Sequence, residues 1–154
     1  RQAEQIELLK RFWNEDVFSF EGRFHRVDAA GINPRPTAPI PVWFGGSAKP
    51  LLKRCARMGD GWMPLMGANA AAKEAIDYLQ AVRAEAGLSW DDFGIQAQAQ
   101  FAGGNPERWA SHYEKWLNLG ATHMAFATHN AEPTSVDGHL KRIEEYFAVI
   151  QGNA

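Results

Sequence analysis

The sequence has 154 residues, of which 45% are hydrophobic and 22% charged, enough for one domain or part of one. The 16 basic residues are fewer than the 18 acidic ones, so no basic excess exists to neutralise a phosphate backbone. We therefore expect no nucleic-acid partner. No apolar run approaches the ~20 residues that cross a bilayer, so we expect no membrane partner. Cys55 is the single cysteine, which excludes an internal disulfide and fits a reducing cytoplasm.

Residues 1–40 predict a helix, a hairpin and a connector. Apolar residues at helical spacing, including Ile6, Leu9 and Trp13, predict a helix over 3–14. Residues 17–27 alternate around Glu21-Gly22, which predicts a β-hairpin with a two-residue turn. Four prolines between 31 and 41 predict an extended connector. Since Arg1 reads as the interior of a helix with no start Met, we expect that upstream sequence is missing.

From Pro41 onward, short apolar segments alternate strictly with amphipathic ones. The pattern predicts four strand–helix units, with strands over 41–46, 60–65, 93–104 and 121–128 and helices over 47–59, 71–87, 105–120 and 136–152. Ser47 and Asn105 are the predicted helix caps, and Gly59 and Gly87 the predicted helix ends.

This alternation predicts an α/β fold with a parallel sheet, in which residues 1–154 form one domain. Four units correspond to the C-terminal half of a TIM (β/α)8 barrel, or to a small doubly wound sheet. The two architectures differ in strand order, which the sequence does not give.

The junction at Gly45, Gly46 and Ser47 is the most informative point for function, because a strand ends and a helix begins there. Glycines allow close backbone approach, and the first helical turn offers free N–H groups and a positive dipole end. The sequence therefore predicts a phosphate site, with Lys49 nearby. The alternative is a tight turn with a serine cap.

Other candidates lie at the C-terminal ends of strands, where the ligand sites of barrels gather. We expect Met63 and Pro64 to line a ligand mouth or only to pack, and His129 to contact a ligand or to cap a loop. His112 and His139 lie on predicted helices and are expected at the surface. No histidine pair has metal-ligand spacing, so we expect no metal.

The third strand carries Gln96, Gln98 and Gln100 in alternation with Ala97 and Ala99. Period two places the three amides on one face. They face a polar barrel interior, or they form the solvated face of an edge strand.

Three segments together resemble the C-terminal half of the luciferase-like monooxygenase superfamily. They are LLKRFWNEDVFSFEGRFHRVD (8–28), GINPRPTAPIPVWFGGSA (31–48) and RCARMGDGWMPL (54–65). The resemblance is strongest to oxidoreductases that use the deazaflavin coenzyme F420 instead of FMN. It extends over the whole chain, although the last two units match only as a pattern.

The resemblance implies a usually dimeric (β/α)8 barrel that binds F420 or FMN at its C-terminal mouth. The loop matching Gly45, Gly46, Ser47 and Ala48 would lie against the coenzyme phosphate, with Met63 and Pro64 near the ring or substrate. The implied activity is hydride transfer or oxygen activation on a small-molecule substrate. The resemblance identifies no catalytic residue in this chain.

The family's first four strands have no counterpart here. We therefore expect a coenzyme phosphate half-site and part of a substrate wall, without a complete active site. Two open sheet edges would favour a homo-oligomer that covers them, or they indicate a truncated chain. The alternative function is a non-catalytic half-barrel that serves in binding or assembly.

Overall fold

The computed structural model describes residues 1–132 and 134–152. The chain divides into two units, Arg1–Val42 and Trp43–Ala154. The expectation of one domain over 1–154 stays a prediction.

The first unit contains the predicted helix and hairpin. Helix α1 is Gln2–Asn14, and strands β1 (Phe18–Glu21) and β2 (Arg26–Ala30) pair antiparallel. The predicted two-residue turn is wrong, because Glu21 pairs with Arg26 and leaves a four-residue loop, 22–25. The Glu4 carboxylate of α1 accepts the backbone N–H groups of Arg23 and Phe24 at 2.9 Å each, which holds this wider loop. Residues 31–42 contain neither helix nor strand, as predicted for the connector.

The second unit is a four-stranded parallel sheet with strand order β3-β4-β5-β6. Its elements are β3 (Trp43–Gly45), α2 (Lys49–Met58), β4 (Gly61–Met63), α3 (Ala70–Glu85), β5 (Gly94–Gln100), α4 (Pro106–Asn118), β6 (His123–Ala127) and α5 (Val136–Gln151). Neighbours in sequence are neighbours in the sheet, which is the order of a barrel rather than of a doubly wound sheet. No helix in the described ranges has the length and apolar character to cross a membrane.

One face of the sheet packs against helices. Phe44, Trp62 and Ile95 are at most 4% exposed on this face. Further along β5, Ala99 lies in a buried cluster with Trp109 of α4 and Tyr146 of α5. This face supplies the apolar core of the unit.

On the opposite face, the Trp43 ring extends across the N-terminal end of the sheet. A Cβ atom at Gly61 would lie 2.4 Å from the ring, so Gly61 leaves the space that the indole fills. At Gly94 a Cβ atom would also overlap the indole, at 2.2 Å. The ring also makes an edge contact with His123 of β6, at 5.1 Å between centroids.

Helix α2 is fixed against α3 and the sheet by buried polar contacts at its C-terminal end. Arg83 of α3, 7% exposed, donates to the carbonyl oxygens of Ala56 and Gly59. The Cys55 thiol is fully buried and donates to the carbonyl of Gly61 at 3.4 Å. Burial raises the pKa of Cys55 to about 12, so this cysteine is a packed residue and not a nucleophile.

Candidate functional site

The loop Gly45–Ala48 connects the end of β3 to the start of α2 and is held in place by β4. Gly45 pairs with Met63, and the Gly46 N–H donates to the Met63 carbonyl at 3.4 Å. The Trp62 indole N–H donates to the Gly46 carbonyl at 2.7 Å. These contacts place the loop at the C-terminal edge of the sheet.

Gly46 has a backbone conformation that favours glycine. Its φ is +113°, a region that side chains rarely adopt, and a Cβ atom there would lie 3.2 Å from Leu51 Cδ1. The positive φ turns the chain from the strand into the helix.

The predicted serine cap at the start of α2 is wrong. The helix begins at Lys49 with Ala48 in the cap position, and no side chain caps it. Pro50 occupies the first helical turn, where its fixed φ suits the helix and its missing N–H costs nothing. The Ala48 carbonyl accepts the N–H groups of Leu51 and Leu52, at 2.8 and 3.0 Å.

The absence of a capping side chain at the start of α2 leaves backbone N–H donors available in the loop. Within residues 1–132 and 134–152, the backbone N–H groups of Ser47, Ala48 and Lys49 have no protein acceptor. They lie at the positive end of the α2 dipole, and the side chains of Ser47 and Lys49 are exposed. Three amides, a hydroxyl and an ammonium group suit a phosphate, which is an anion with several acceptor oxygens.

Met63 and Pro64 lie beside this loop. By the alternation of β4, Met63 is on the same face as Gly61 and therefore on the face that Trp43 covers. Pro64 is buried directly after it. The structure thus brings two predicted substrate residues next to the predicted phosphate loop.

His129 lies at the other side of the sheet. It follows β6, is exposed, and is separated from β3 by three strand spacings, roughly 14 Å at ~4.8 Å each. It is at the C-terminal edge, as predicted, but does not adjoin the loop. Its predicted contact with a ligand stays a prediction.

A buried hydrogen-bond network, which the sequence did not predict, surrounds Thr128, the residue before His129. Arg142 of α5 is 3% exposed and donates to the Thr128 carbonyl at 3.3 Å, while the Thr128 hydroxyl lies 2.8 Å from His139 Nδ1. The expectation that His139 is a surface residue is wrong, since its ring is partly buried in this network. The three-residue spacing of His139 and Arg142, which places both on one helix face, was the available signal.

The glutamines of β5 share one face, as predicted. Ala97 and Ala99 are buried toward the helices, whereas Gln98 and Gln100 are exposed on the alternate positions. In the described part of the chain, no group of three or more His, Cys, Asp or Glu residues could hold a metal ion.

Sequentially ordered parallel strands with helices on one face define a portion of a (β/α)8 barrel. The model of the family described as "Luciferase-like monooxygenase" matches residues 1–152, and the chain belongs to this family.

Individual relatives are similar to part of the chain. An uncharacterised protein of Mycobacterium tuberculosis is 37% identical over 87 residues, 56% of this chain and 30% of its own length. The F420-dependent glucose-6-phosphate dehydrogenase of Nakamurella multipartita is 31% identical over 67 residues, 44% of this chain and 20% of its own.

Solved structures confirm the fold. An F420-dependent secondary alcohol dehydrogenase, in complex with an F420–acetone adduct, matches with a TM-score of 0.78 at 13% identity. The match covers 96% of this chain and 60% of that one. The chain therefore spans a little over half of the solved barrel, and its matches to the curated relatives span less than a third of their length.

Proposed function

We propose that this chain forms the coenzyme-phosphate side of an oxidoreductase that uses F420 or FMN and acts on a small organic molecule. The observation that carries the proposal is the set of unpaired backbone donors at Ser47, Ala48 and Lys49, beside the positive-φ Gly46. The names of two similar proteins, both F420-dependent dehydrogenases, support a redox coenzyme.

In this proposal the bound coenzyme supplies the hydride transfer, or the oxygen activation in the case of reduced FMN. The chain binds and orients it. The amides of residues 47–49 hold the phosphate, and Met63 and Pro64 form part of the wall around the ring or substrate. Trp43 covers the sheet face that carries Met63 and excludes water from it. His129 contacts the substrate.

A comparison of FMN with riboflavin tests the phosphate site, because the two ligands differ only in the phosphate. We expect the purified chain to bind FMN at least roughly tenfold more tightly than riboflavin, because riboflavin lacks the phosphate that forms charge-assisted hydrogen bonds with the amides. Ser47→Asp should remove this preference, because its carboxylate competes for the same donors. Fluorescence titration measures both affinities.

Ser47→Asn is the matched control, since it keeps the size of the aspartate without its charge and should keep the preference for FMN. Equal affinities for FMN and riboflavin in the unmodified chain would contradict the phosphate site. The same titration with F420 identifies the preferred coenzyme. Reduction of the bound coenzyme by an oxidisable alcohol or sugar phosphate would contradict the alternative of a non-catalytic binding module.

A further inference from the structure

The glutamine side chains of β5 lie on the inner face of the sheet, at its C-terminal end. In a (β/α)8 barrel the helices cover the outside, so the opposite sheet face lines the interior, and ligands bind at its C-terminal end. Gln98 and Gln100 occupy this face, and Gln100 is the last residue of β5. Strand β4 ends at Met63, which the strand register places level with Gln96. Gln98 and Gln100 therefore extend beyond Met63 toward the mouth of the barrel.

The two amides are open to a ligand. On β6, Gln98 pairs with Ala125 and Gln100 with Ala127, so the neighbouring side chains are single methyl groups. Within residues 1–132 and 134–152, neither glutamine side chain has a hydrogen-bond partner, and both are exposed. A primary amide offers two N–H donors and one carbonyl acceptor. Each glutamine can therefore both donate to a ligand and accept from it.

The sheet face around these amides carries no permanent charge. The four described strands β3 to β6 contain no Asp, Glu, Lys or Arg. Their one ionisable side chain is His123, which lies at the N-terminal end of β6 against the Trp43 ring. A charged group that loses its hydration inside a barrel costs free energy unless an opposite charge compensates for it. The inner face beside Gln98 and Gln100 offers no such charge.

The anion site at residues 47–49 is separate from these amides. Strand β5 is two strand spacings away from β3, roughly 10 Å at ~4.8 Å each. A phosphate held by the backbone N–H groups after β3 therefore does not reach Gln98 or Gln100. The group that faces the two glutamines belongs to another part of the ligand or to a second ligand.

We propose that Gln98 and Gln100 select a substrate that presents a neutral hydroxyl or carbonyl group to β5, rather than a carboxylate or a phosphate. This assignment rests on the proposed function, because it takes the inner face to be the substrate side of the coenzyme site. A hydroxyl group accepts from the amide N–H and donates to the amide carbonyl. A carboxylate only accepts, and it would place its negative charge beside the amide carbonyl oxygen without a cation.

Glycerol and glycerate test this selection, because they differ only in the replacement of one hydroxymethyl group by a carboxylate. In the ¹⁵N-labelled chain with FMN, we expect glycerol to shift the side-chain amide signals of Gln98 and Gln100 in a saturable way. Glycerate should bind roughly tenfold more weakly. Gln100→Lys should reverse the preference, since it supplies a cation to the carboxylate. Gln80→Lys makes the same change at an exposed position of α3 and should keep the preference for glycerol.

Three results would overturn the selection by β5. They are the absence of any shift with glycerol, an affinity for glycerate that equals or exceeds that for glycerol, and a folded Gln100→Lys variant that still prefers glycerol. The coenzyme site is judged separately, by the comparison of FMN with riboflavin. If FMN bound no better than riboflavin, the same two titrations without FMN would still measure the preference of Gln98 and Gln100.

Discussion

His112 lies on α4 with one ring nitrogen hidden from solvent, although its sequence position indicated a surface residue. Burial lowers the pKa of His112, and the positive charge of Lys115 lowers it further. Both effects disfavour the imidazolium, because it would lose hydration and lie near a like charge. The ring is consequently held neutral in the folded chain at a pH where an unfolded chain begins to bind the proton.

This difference predicts a stability loss below about pH 6.5, the ordinary histidine value. The unfolded state binds more protons there than the native state, so the free energy of unfolding falls as pH decreases. Chemical denaturation between about pH 7.5 and 5 measures the slope, above the range in which carboxylates titrate. His112→Gln should flatten it, and equal slopes for the two proteins would contradict the role of His112.

At the scale of secondary-structure elements, the contact of Trp43 with β4 and β5 depends on two glycines. Gly94→Ala should destabilise the second unit by about 1–3 kcal/mol, because the new methyl group overlaps the indole and overpacks the sheet. Thermal unfolding measures the change. Gly67→Ala is the control, since a Cβ atom there meets nothing within 4 Å. A Gly94→Ala variant as stable as that control would show that the indole moves without cost.

The sequence predicted the helices better than the strands. Helix α4 begins one residue after its predicted cap Asn105, whose side chain accepts the Arg108 N–H. Local signals of this kind lie within one turn of the chain. Strands β3 and β4 are only three residues each, shorter than predicted, because their length depends on pairing with distant segments.

The same contrast applies to the candidate sites. The loop at Gly45–Ala48 could be predicted because its signal, two glycines between a strand and a helix, is contiguous in sequence. The cavity that Arg108 and His112 line could not be predicted, since the sequence pattern does not show how α4 packs on the end of β5. The mistaken cap at Ser47 shows that a proline in the first turn can set a helix start without any capping side chain.

At the scale of the whole molecule, the outer strands of the sheet are β3 and β6. Next to β6 in sequence, α5 exposes four apolar side chains spaced four, three and four residues apart. They are Val136 (74%), Leu140 (53%), Ile143 (36%) and Phe147 (44%). This spacing aligns them along one side of the helix. An antiparallel second copy of α5 would match Val136 with Phe147 and Leu140 with Ile143, so the stripe is complementary to itself.

We therefore predict that the chain self-associates through α5. Leu140→Glu should shift the chain toward monomer, because a charge in the middle of the stripe would be buried against its own copy. Lys141→Glu changes the neighbouring exposed position and is the control, which should retain the association. Light scattering after size-exclusion chromatography, over a range of concentrations, gives the mass of each species. A well-folded wild-type chain that stays monomeric over this range would contradict the prediction, and the α5 stripe would then have no second copy as its partner.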